Sequence, residues 1–364
     1  MITPPQRNSL ELQTATILRK QIAQGAWTEW LPGERELGET LQVSRYTVRA
    51  ALAQLRKDGV IATEKGVGNK IARRRGRGKA AIPGSNVGLL VCGEFHQLLP
   101  THIFWIDQLR VMLDARGSRL HMVDGRAYAR ANPARALKKL AQQNPHSCWI
   151  LLLSSEAVQA WFQKNAIPCV VAGSTYVGID LPCCDLDYRA ACRHAADMLL
   201  RRGHRRITLL IKRSRRAGDI LSEAGFEEAF ARTAVENASP VIRHHNSTVE
   251  GVAETVRQLM TQKTPPTALL VADPFDYLTV ASCLAKLGLD VPRDVSVISR
   301  DGESCYHYML PRPSCYAANM RLFARALLGA ITPALSGGQL AVRVHYLMPE
   351  FTEGASVLSL SVKK

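Results

Sequence analysis

Four side chains suited to binding phosphates and base edges lie within about a turn and a half of helix if the stretch is helical. They are Arg45, Tyr46, Thr47 and Arg49. An arginine guanidinium forms two parallel hydrogen bonds to a phosphate or to a guanine edge, and hydroxyl groups donate to phosphate oxygens. Presented on one side of a helix, these groups have the chemistry needed to contact the major groove of DNA.

The residues around this set predict such a helix. Ser44 occupies an N-cap position, where its hydroxyl can accept a backbone N–H, and Val48, Leu52 and Leu55 recur at i, i+4 and i+7. The apolar stripe identifies the buried face, so the polar set lies on the other face. We expect the first turns of this helix to face the groove.

Neighbouring segments complete a winged helix-turn-helix. Leu37 and Leu41 mark a shorter helix upstream, and Gln42-Val43 leaves a tight connection between the two helices. Asp58-Gly59 ends the second helix, and two strands are predicted after it, at 60–63 and 69–72, around the tip 65–68. Glycines at this tip let the backbone come close to a groove.

Residues 6–72 resemble the GntR family of winged-helix regulators. The matching pieces are Ile17, Leu18, Ile22, Gly25, Leu31-Pro32-Gly33-Glu34-Arg35-Glu36-Leu37, Val43-Ser44-Arg45, Thr47-Val48-Arg49 and Gly59. The resemblance implies that Arg35, Arg45 and Arg49 contact DNA and that Gly66 lies where the wing approaches the minor groove. Gly33 replaces the family's usual serine N-cap, and glycine caps nearly as well. The full predicted DNA-binding set is Arg35, Ser44, Arg45, Tyr46, Thr47, Arg49, Lys65 and Gly66.

A second role stays open for two of these arginines. Arg35 or Arg49 can brace the fold through a carboxylate such as Glu34 or Glu39. In that case the arginine stabilises the domain, and its neighbours contact the DNA.

Positive charge is concentrated in two parts of the chain. The net charge is +16, and residues 1–85 hold 15 Lys and Arg against 7 Asp and Glu, a net +8 in less than a quarter of the 364 residues. This asymmetry is typical of a segment that binds a polyanion such as double-stranded DNA. Residues 201–216 hold eight further Lys and Arg and no acidic residue.

Cysteine and histidine spacing indicates neither disulfides nor a metal site. The nine cysteines are odd in number and show no CxxC spacing, which is typical of reduced thiols in a cytoplasmic protein. His244-His245 has no partners at metal-ligand spacing, and no apolar run approaches the roughly 18 residues needed to span a bilayer. We therefore expect a cytoplasmic protein with no metal, cofactor or membrane segment.

The sequence predicts three parts. Residues 1–72 form the DNA-binding domain, and residues 73–85, rich in Arg and Gly and ending near Pro83-Gly84, form a flexible basic linker that can also reach the phosphate backbone. Residues 86–364 form the third part. With 46% hydrophobic residues, the whole chain has enough apolar side chains to build two or three domain cores.

Beyond residue 85, short apolar runs alternate with amphipathic segments. Strands are predicted at 87–91, 120–123, 149–153, 169–172, 207–211, 268–271 and 295–299, and helices at 103–116, 132–143, 188–202, 221–233 and 277–287. This alternation predicts an α/β fold with parallel sheets, and its length favours two lobes. In such sheets a ligand binds beyond the carboxyl ends of the strands.

Residues 86–356 resemble the LacI/GalR regulators and their relatives among periplasmic sugar-binding proteins. The matching pieces are Ile167-Pro168, Asp187 with Ala190-Ala191, LRRGHRRI at 200–207, Gly225-Phe226, Pro266-Thr267-Ala268, GLDVPRDVSVI at 288–298, Asp301 and Leu310-Pro311. The resemblance implies a hinged, two-lobed, periplasmic-binding-protein-like domain that binds a small molecule, such as a carbohydrate derivative, in its cleft and forms a homodimer.

The family's sugar-binding residues are only partly present. Asp301 matches the cleft aspartate, and Asp273 falls where an Asn or Asp usually lies, so the two can hold sugar hydroxyls or an amine. Ser222 replaces the family's arginine and Gly173 a frequent aspartate, and each lost charged hydrogen bond is worth roughly 1.5–3 kcal/mol. We therefore expect a ligand other than an ordinary hexose.

Position after a strand adds four candidate effector-binding residues. These are Glu94, Phe95, Phe275 and Arg213. The aromatic rings offer a platform for a ligand, and Arg213 with Lys212, Arg215 and Arg216 offers a cationic wall for a phosphate or carboxylate. Two alternatives stay open: the phenylalanines can belong to the core, and the basic run can simply face water.

These features favour a ligand-controlled transcription factor. Two N-terminal domains on a dimer would bind a two-fold symmetric operator, and cleft closure would change their spacing; by resemblance, the ligand relieves repression. An enzyme is not expected, because the sequence lacks a Gly-x-Ser-x-Gly elbow, a Gly-x-x-x-x-Gly-Lys loop and a metal constellation. The alternative is a DNA-binding regulator whose C-terminal domain binds a protein partner rather than a small molecule.

Overall fold

The chain divides into two compact units, Met1–Lys79 and Ala80–Lys364. The computed structural model describes residues 10–23, 27, 29–58, 60–64, 68–71, 85–94, 98–128, 132–214, 216–233 and 237–360. The predicted linker, residues 73–85, lies outside the described residues except for Ser85, which is buried.

The N-terminal unit is a winged helix-turn-helix, as predicted. Its elements are α1 (Leu10–Ala23), α2 (Glu34–Leu41), α3 (Arg45–Lys57), β1 (Ile61–Glu64) and β2 (Gly68–Ile71). The predicted stripe of Val48, Leu52 and Leu55 is fully buried against Leu18 and Leu37. The strands β1 and β2 pair antiparallel, one residue away from their predicted positions.

The first lobe of the C-terminal unit is a six-stranded parallel sheet covered by helices. Its strands lie in the order β13-β7-β6-β5-β3-β4. The elements are β3 (Asn86–Val91), α4 (Pro100–Asp114), β4 (Arg119–Asp124), α5 (Ala134–Gln143), β5 (Cys148–Leu152), α6 (Glu156–Lys164), β6 (Cys169–Ala172), β7 (Cys183–Leu186), α11 (Met320–Leu335) and β13 (Val344–Leu347).

The second lobe repeats this plan with one antiparallel edge strand. Its strands lie in the order β14-β12-β11-β10-β8-β9, and only β14 runs antiparallel to its neighbour. The elements are α7 (Tyr188–Arg201), β8 (Arg206–Lys212), α8 (Ala217–Thr233), β9 (Ser239–His245), α9 (Val249–Met260), β10 (Ala268–Val271), α10 (Pro274–Lys286), β11 (Ser296–Ser299), β12 (Ser314–Ala317) and β14 (Glu350–Thr352).

The two lobes are connected by three chain crossings. The chain passes from β7 into α7, from β12 into α11, and from β13 into β14. Strands β5, β6 and β10 are buried at every residue, as expected for parallel strands covered by helices on both faces. The predicted two-lobed α/β architecture is confirmed.

The nine cysteines are all free thiols. Eight are buried in the lobes, and only Cys305 is partly exposed. Burial raises the pKa of most of these thiols, for example Cys169 to about 12. Within the described residues, no helix combines the length and the apolar character needed to cross a bilayer.

Candidate functional site

The predicted recognition helix α3 is capped at its start by contacts between Ser44 and Thr47. Ser44 Oγ accepts a hydrogen bond from the backbone N–H of Thr47 at 3.1 Å and lies 2.9 Å from its hydroxyl. Thr47 is buried, so its side chain locks the start of the helix, whereas Arg45, Tyr46 and Arg49 are exposed. The groups of this turn that are free to contact a groove are therefore the two arginines and the tyrosine.

Arg35 and Arg49 both form the bracing ion pairs that the sequence left open. Arg49 Nε lies 2.7 Å from Glu34 Oε2, and Arg35 Nε lies 3.0 Å from Glu39 Oε1. The two arginine side chains remain 63% and 84% exposed, and pairs at such exposure contribute about 0.2–1 kcal/mol. Either guanidinium can therefore exchange its carboxylate for a phosphate at small cost.

The wing is held to the segment that precedes α2. The backbone N–H of Leu31 donates to Asn69 O at 2.9 Å, and that of Ile71 donates to Glu29 O at 2.8 Å. The Lys70 ammonium lies 5.0 Å from the centre of the Trp30 ring. These contacts fix the base of the wing, while the predicted contact residues at its tip, Lys65 and Gly66, lie outside the described residues.

A cavity of about 150 Å³ lies between the lobes of the C-terminal unit, at the carboxyl ends of both parallel sheets. Carboxylates line it from both sides. Asp185 of β7 belongs to the first lobe, and Asp219, Asp273 and Asp301 belong to the second. The fold thus brings together acidic side chains that are far apart in the sequence.

Arg300 is the central group of the cavity. Its guanidinium is buried, lies 2.9 Å from Asp301 Oδ2 and 3.2 Å from Asp219 Oδ1, and covers the Tyr188 ring at 4.2 Å. It also donates to Ser222 Oγ at 2.9 Å. The cation that the LacI/GalR resemblance places at position 222 is therefore supplied here from the end of β11.

Gly173 lines the opposite side of the cavity, where the resemblance led us to look for an aspartate. Its backbone has a φ of 141°, a conformation that glycine adopts readily and an aspartate does not. The backbone itself thus disfavours an acidic side chain at this position. The first lobe instead contributes Asp185, which accepts from Ser174 Oγ at 2.7 Å.

Burial controls the ionisation of these carboxylates. It raises the pKa of Asp185 to about 6, against the opposing hydrogen bond from Ser174. Burial also raises the pKa of Asp301, although Arg300 opposes the shift. For Asp219 burial acts in the same direction, but the charges of Arg300 and Lys212 outweigh it and leave the pKa below its usual value.

Asp273 caps a helix and lines the cavity at the same time. Its Oδ1 accepts the backbone N–H of Phe275 at 2.9 Å at the start of α10. One turn further, Asp276 Oδ2 lies 3.3 Å from His245 Nε2. Burial and the neighbouring Asp273 raise the pKa of Asp276 to about 7, and burial lowers the pKa of His245 to about 4.

The carboxylate of Glu303 connects the two lobes beside the cavity. Glu303 follows β11 and is buried, and its Oε1 accepts from Thr101 Oγ1 at 2.7 Å and from Thr101 N at 3.3 Å. Thr101 lies in the first turn of α4, in the other lobe. A negative charge at a helix N-terminus is favourable, so this contact stabilises the observed arrangement of the lobes.

The remaining predicted effector-binding residues lie at different distances from the cavity. Arg213 and Phe275 line only a wider, open mouth of about 620 Å³ that adjoins it. Glu94 is exposed, pairs with Arg126 at 3.1 Å and lines neither space, and Phe95 lies outside the described residues. Within the described part of the chain, no group of three potential metal ligands occurs.

Comparison with known proteins separates the chain into the same two parts. Residues 10–71 match the bacterial regulatory proteins of the gntR family, and residues 196–357 match the periplasmic binding protein-like domain. The chain joins a gntR-type DNA-binding domain to a periplasmic-binding-protein-like domain. It is a transcriptional regulator and not an enzyme, as the sequence predicted.

Three known proteins illustrate the likeness. The arabinose metabolism transcriptional repressor of Geobacillus stearothermophilus is 24% identical over 291 residues, 75% of this chain and 76% of that protein. A putative LacI transcriptional regulator from Bacillus cereus subsp. cytotoxis superposes with a TM-score of 0.69 at 20% identity, covering 76% of this chain and all of that structure. A LacI family regulator from Enterococcus faecium, solved with bound ribose, covers the same shares with a TM-score of 0.63 at 15% identity.

Proposed function

We propose that the regulator is a repressor whose affinity for a two-fold symmetric operator is controlled by a carbohydrate-type effector in the cavity between its lobes. The observation that carries this proposal is the cavity itself, which is lined by carboxylates from both lobes at the strand ends. Carboxylate oxygens accept hydrogen bonds from sugar hydroxyls. A ligand that contacts Asp185 and Asp273 together binds best when the lobes are closed.

Such a ligand changes the balance between open and closed lobes in proportion to its preference for the closed form. In a homodimer the two DNA-binding domains follow the positions of the lobes, so their spacing on the operator changes with ligand. The ribose-bound neighbour and the repressor of arabinose metabolism support a carbohydrate as effector and repression as the mode of action.

The proposal includes the division of the chain and its location. Residues 1–72 bind DNA, residues 73–85 are the tether, and residues 86–364 bind the effector and dimerise. The exposed turn of α3, with Arg45, Tyr46 and Arg49, supports the first assignment. A regulator of this kind acts on chromosomal DNA, which places it in the cytoplasm.

The test begins with thermal-shift screening of the full chain against pentoses, hexoses, polyols, sugar acids and nucleosides. A ligand that binds only the folded state raises the melting temperature in a saturable manner. Operators selected from random duplex DNA then show, by gel retardation, whether the stabilising compound releases the regulator. If the ligand relieves repression, it should release the regulator from the operator. Tighter retardation of the operator in the presence of ligand would contradict this.

Asp273→Asn sharpens the test. Asparagine caps a helix as well as aspartate, so α10 is preserved while the cavity loses one charge. We expect effector binding to weaken without a change in melting temperature. Asp290→Asn, at an exposed position outside the cavity, is the matched control. A screen in which no compound raises the melting temperature would favour the protein-partner alternative and count against the proposal.

A further inference from the structure

Two basic side chains occupy the boundary between the enclosed cavity and its open mouth. Lys212 ends β8, and Arg216 immediately precedes α8; both line the 150 Å³ cavity and the 620 Å³ mouth. Among the described residues, no carboxylate oxygen lies within 4.0 Å of either side chain. These two cations therefore differ from Arg300, whose charge is matched inside the protein.

The nearby carboxylates already have other partners. Arg300 forms ion pairs with Asp219 and Asp301. In addition, Ser174 donates a hydrogen bond to Asp185, and the N-terminus of α10 donates one to Asp273. None of these groups is within ion-pair distance of Lys212 or Arg216. Both side chains are half-buried at the edge of the cavity, and a partly buried charge without a partner is unfavourable.

Arg216 acts across the cavity on the first lobe. After burial, its charge is the next largest cause of the lowered pKa of His102, which is about 4. His102 Nδ1 accepts the backbone N–H of Leu99 at 2.9 Å, as a neutral imidazole does. The first lobe thus presents an uncharged histidine to Arg216, and its carboxylate in this cavity, Asp185, accepts from Ser174 and forms no ion pair with Arg216.

The start of α8 adds further positive character at the same place. Ala217 and Gly218 line the cavity, and the first N–H groups of a helix have no partner within the helix. This helix is 17 residues long, so its N-terminus carries the partial positive charge of a helix dipole, and the acidic residue of its first turn, Asp219, is paired with Arg300. Lys212, Arg216 and this helix start together form the cationic boundary.

We propose that the effector is an anionic sugar derivative whose phosphate or carboxylate lies at the cationic boundary while its hydroxyls extend inward to Asp273 and Asp185. This inference rests on the proposed function. The open mouth on the outer side gives the charged group room and access to water. A neutral sugar of the same shape leaves both cations without an ion-pair partner.

Calorimetric titration of the full chain with matched compounds tests the inference. Each series contains the neutral sugar, its phosphate ester and its acid: glucose, glucose 6-phosphate and gluconate; ribose, ribose 5-phosphate and ribonate. We expect one anionic member to bind at least about 10-fold more tightly than its neutral parent. Comparison of the phosphate ester with the sugar acid shows which anionic group the site binds. Titration with inorganic phosphate measures binding of the anion without the sugar.

Substitutions of the two basic residues test where the anionic group of the effector binds. Arg216→Ala and Lys212→Ala should each weaken binding of the anionic compound by about 10- to 100-fold and leave the neutral parent unchanged. Arg216→Lys keeps the charge and should retain part of the affinity. Arg232→Ala removes the same charge from the last turn of α8 and is the matched control.

The outcomes separate this inference from the proposed function. If neutral sugars bind and their anionic forms bind no better, the proposed function stands and the anionic effector is overturned. If no compound of either kind binds, both are overturned. Inorganic phosphate that binds as tightly as the sugar phosphate would also overturn the inference, because the sugar would then contribute nothing.

Discussion

Replacement of Arg300 by methionine tests how the cavity is held together. Methionine is apolar and of similar length, so the change removes the charge and its hydrogen bonds while it keeps most of the volume. Asp219 and Asp301 are both buried and lose a cation within 3.2 Å. Ser222 loses the donor to its hydroxyl, and Tyr188 loses the guanidinium over its ring.

The expected loss of stability is large. Removal of one partner from a buried ion pair costs about 3–5 kcal/mol, because a charge is left buried without compensation. A domain of this size loses about 2 °C of melting temperature per kcal/mol, so we expect a decrease of about 6–10 °C at pH 8. An exposed pair gives the comparison: Arg189→Met removes the pair with Glu228, at 53% exposure, and should cost about 1 kcal/mol or less.

The loss should depend on pH. Without Arg300, burial is the largest remaining influence on the pKa of Asp219 and Asp301, and it outweighs the opposing charge of Lys212 near Asp219. It raises the folded-state pKa of both groups above the value in the unfolded chain, about 3.9. The folded variant then binds more protons than the unfolded chain, so its stability falls as pH rises. Scanning calorimetry should therefore show a smaller difference from wild type at pH 5 than at pH 8. A difference that is the same at both pH values, or no larger than that of Arg189→Met, would refute the reasoning.

Three further changes test the other contacts. Ser44→Ala removes the cap on Thr47 and should cost about 1 kcal/mol of stability, measured by urea unfolding, and weaken binding to DNA. Arg49→Ala breaks an exposed pair with Glu34 and should change stability by less than about 1 kcal/mol, but operator binding in gel retardation by about 1–3 kcal/mol. Glu303→Ala removes the contact with the first turn of α4 and should lower effector affinity about 10-fold in calorimetric titration.

Each of these has an outcome that contradicts it. Ser44→Asn, which also caps, should restore the stability lost in Ser44→Ala, and equal stability of the two variants would argue against the cap. If Arg49→Ala retains full affinity at low and high salt, Arg49 only braces the fold. Unchanged affinity in Glu303→Ala would mean that the contact with α4 does not favour the arrangement of the lobes that binds the effector.

The sequence pattern predicted the elements that have a clear period. All seven predicted strands and five predicted helices of the C-terminal unit correspond to observed elements, with ends shifted by a few residues. Five strands were missed, and β7 shows why: its short apolar run is interrupted by Asp185, whose burial depends on the hydrogen bond from Ser174. The strand β9 begins with Ser-Pro and lies at the sheet edge, where proline is tolerated.

The site was predictable only where a side chain lies within two residues of the end of a recognised strand. Asp273 and Asp301 meet that condition, and both line the cavity. Asp185 was missed together with its strand, and Asp219 lies on a helix whose first turn was not predicted. Arg300 directly precedes Asp301 and was available to the same reasoning, but its role depends on contacts with α8 that no local pattern contains.

The distribution of thiols has a practical consequence. Because eight of the nine cysteines are buried, a maleimide dye should react first with Cys305, the one that is partly exposed. Cys305 follows Glu303 by two residues, so a fluorophore attached there would sit beside the junction that links the lobes. The native chain thus offers a single labelling position from which opening and closing can be followed by fluorescence, without any engineered cysteine.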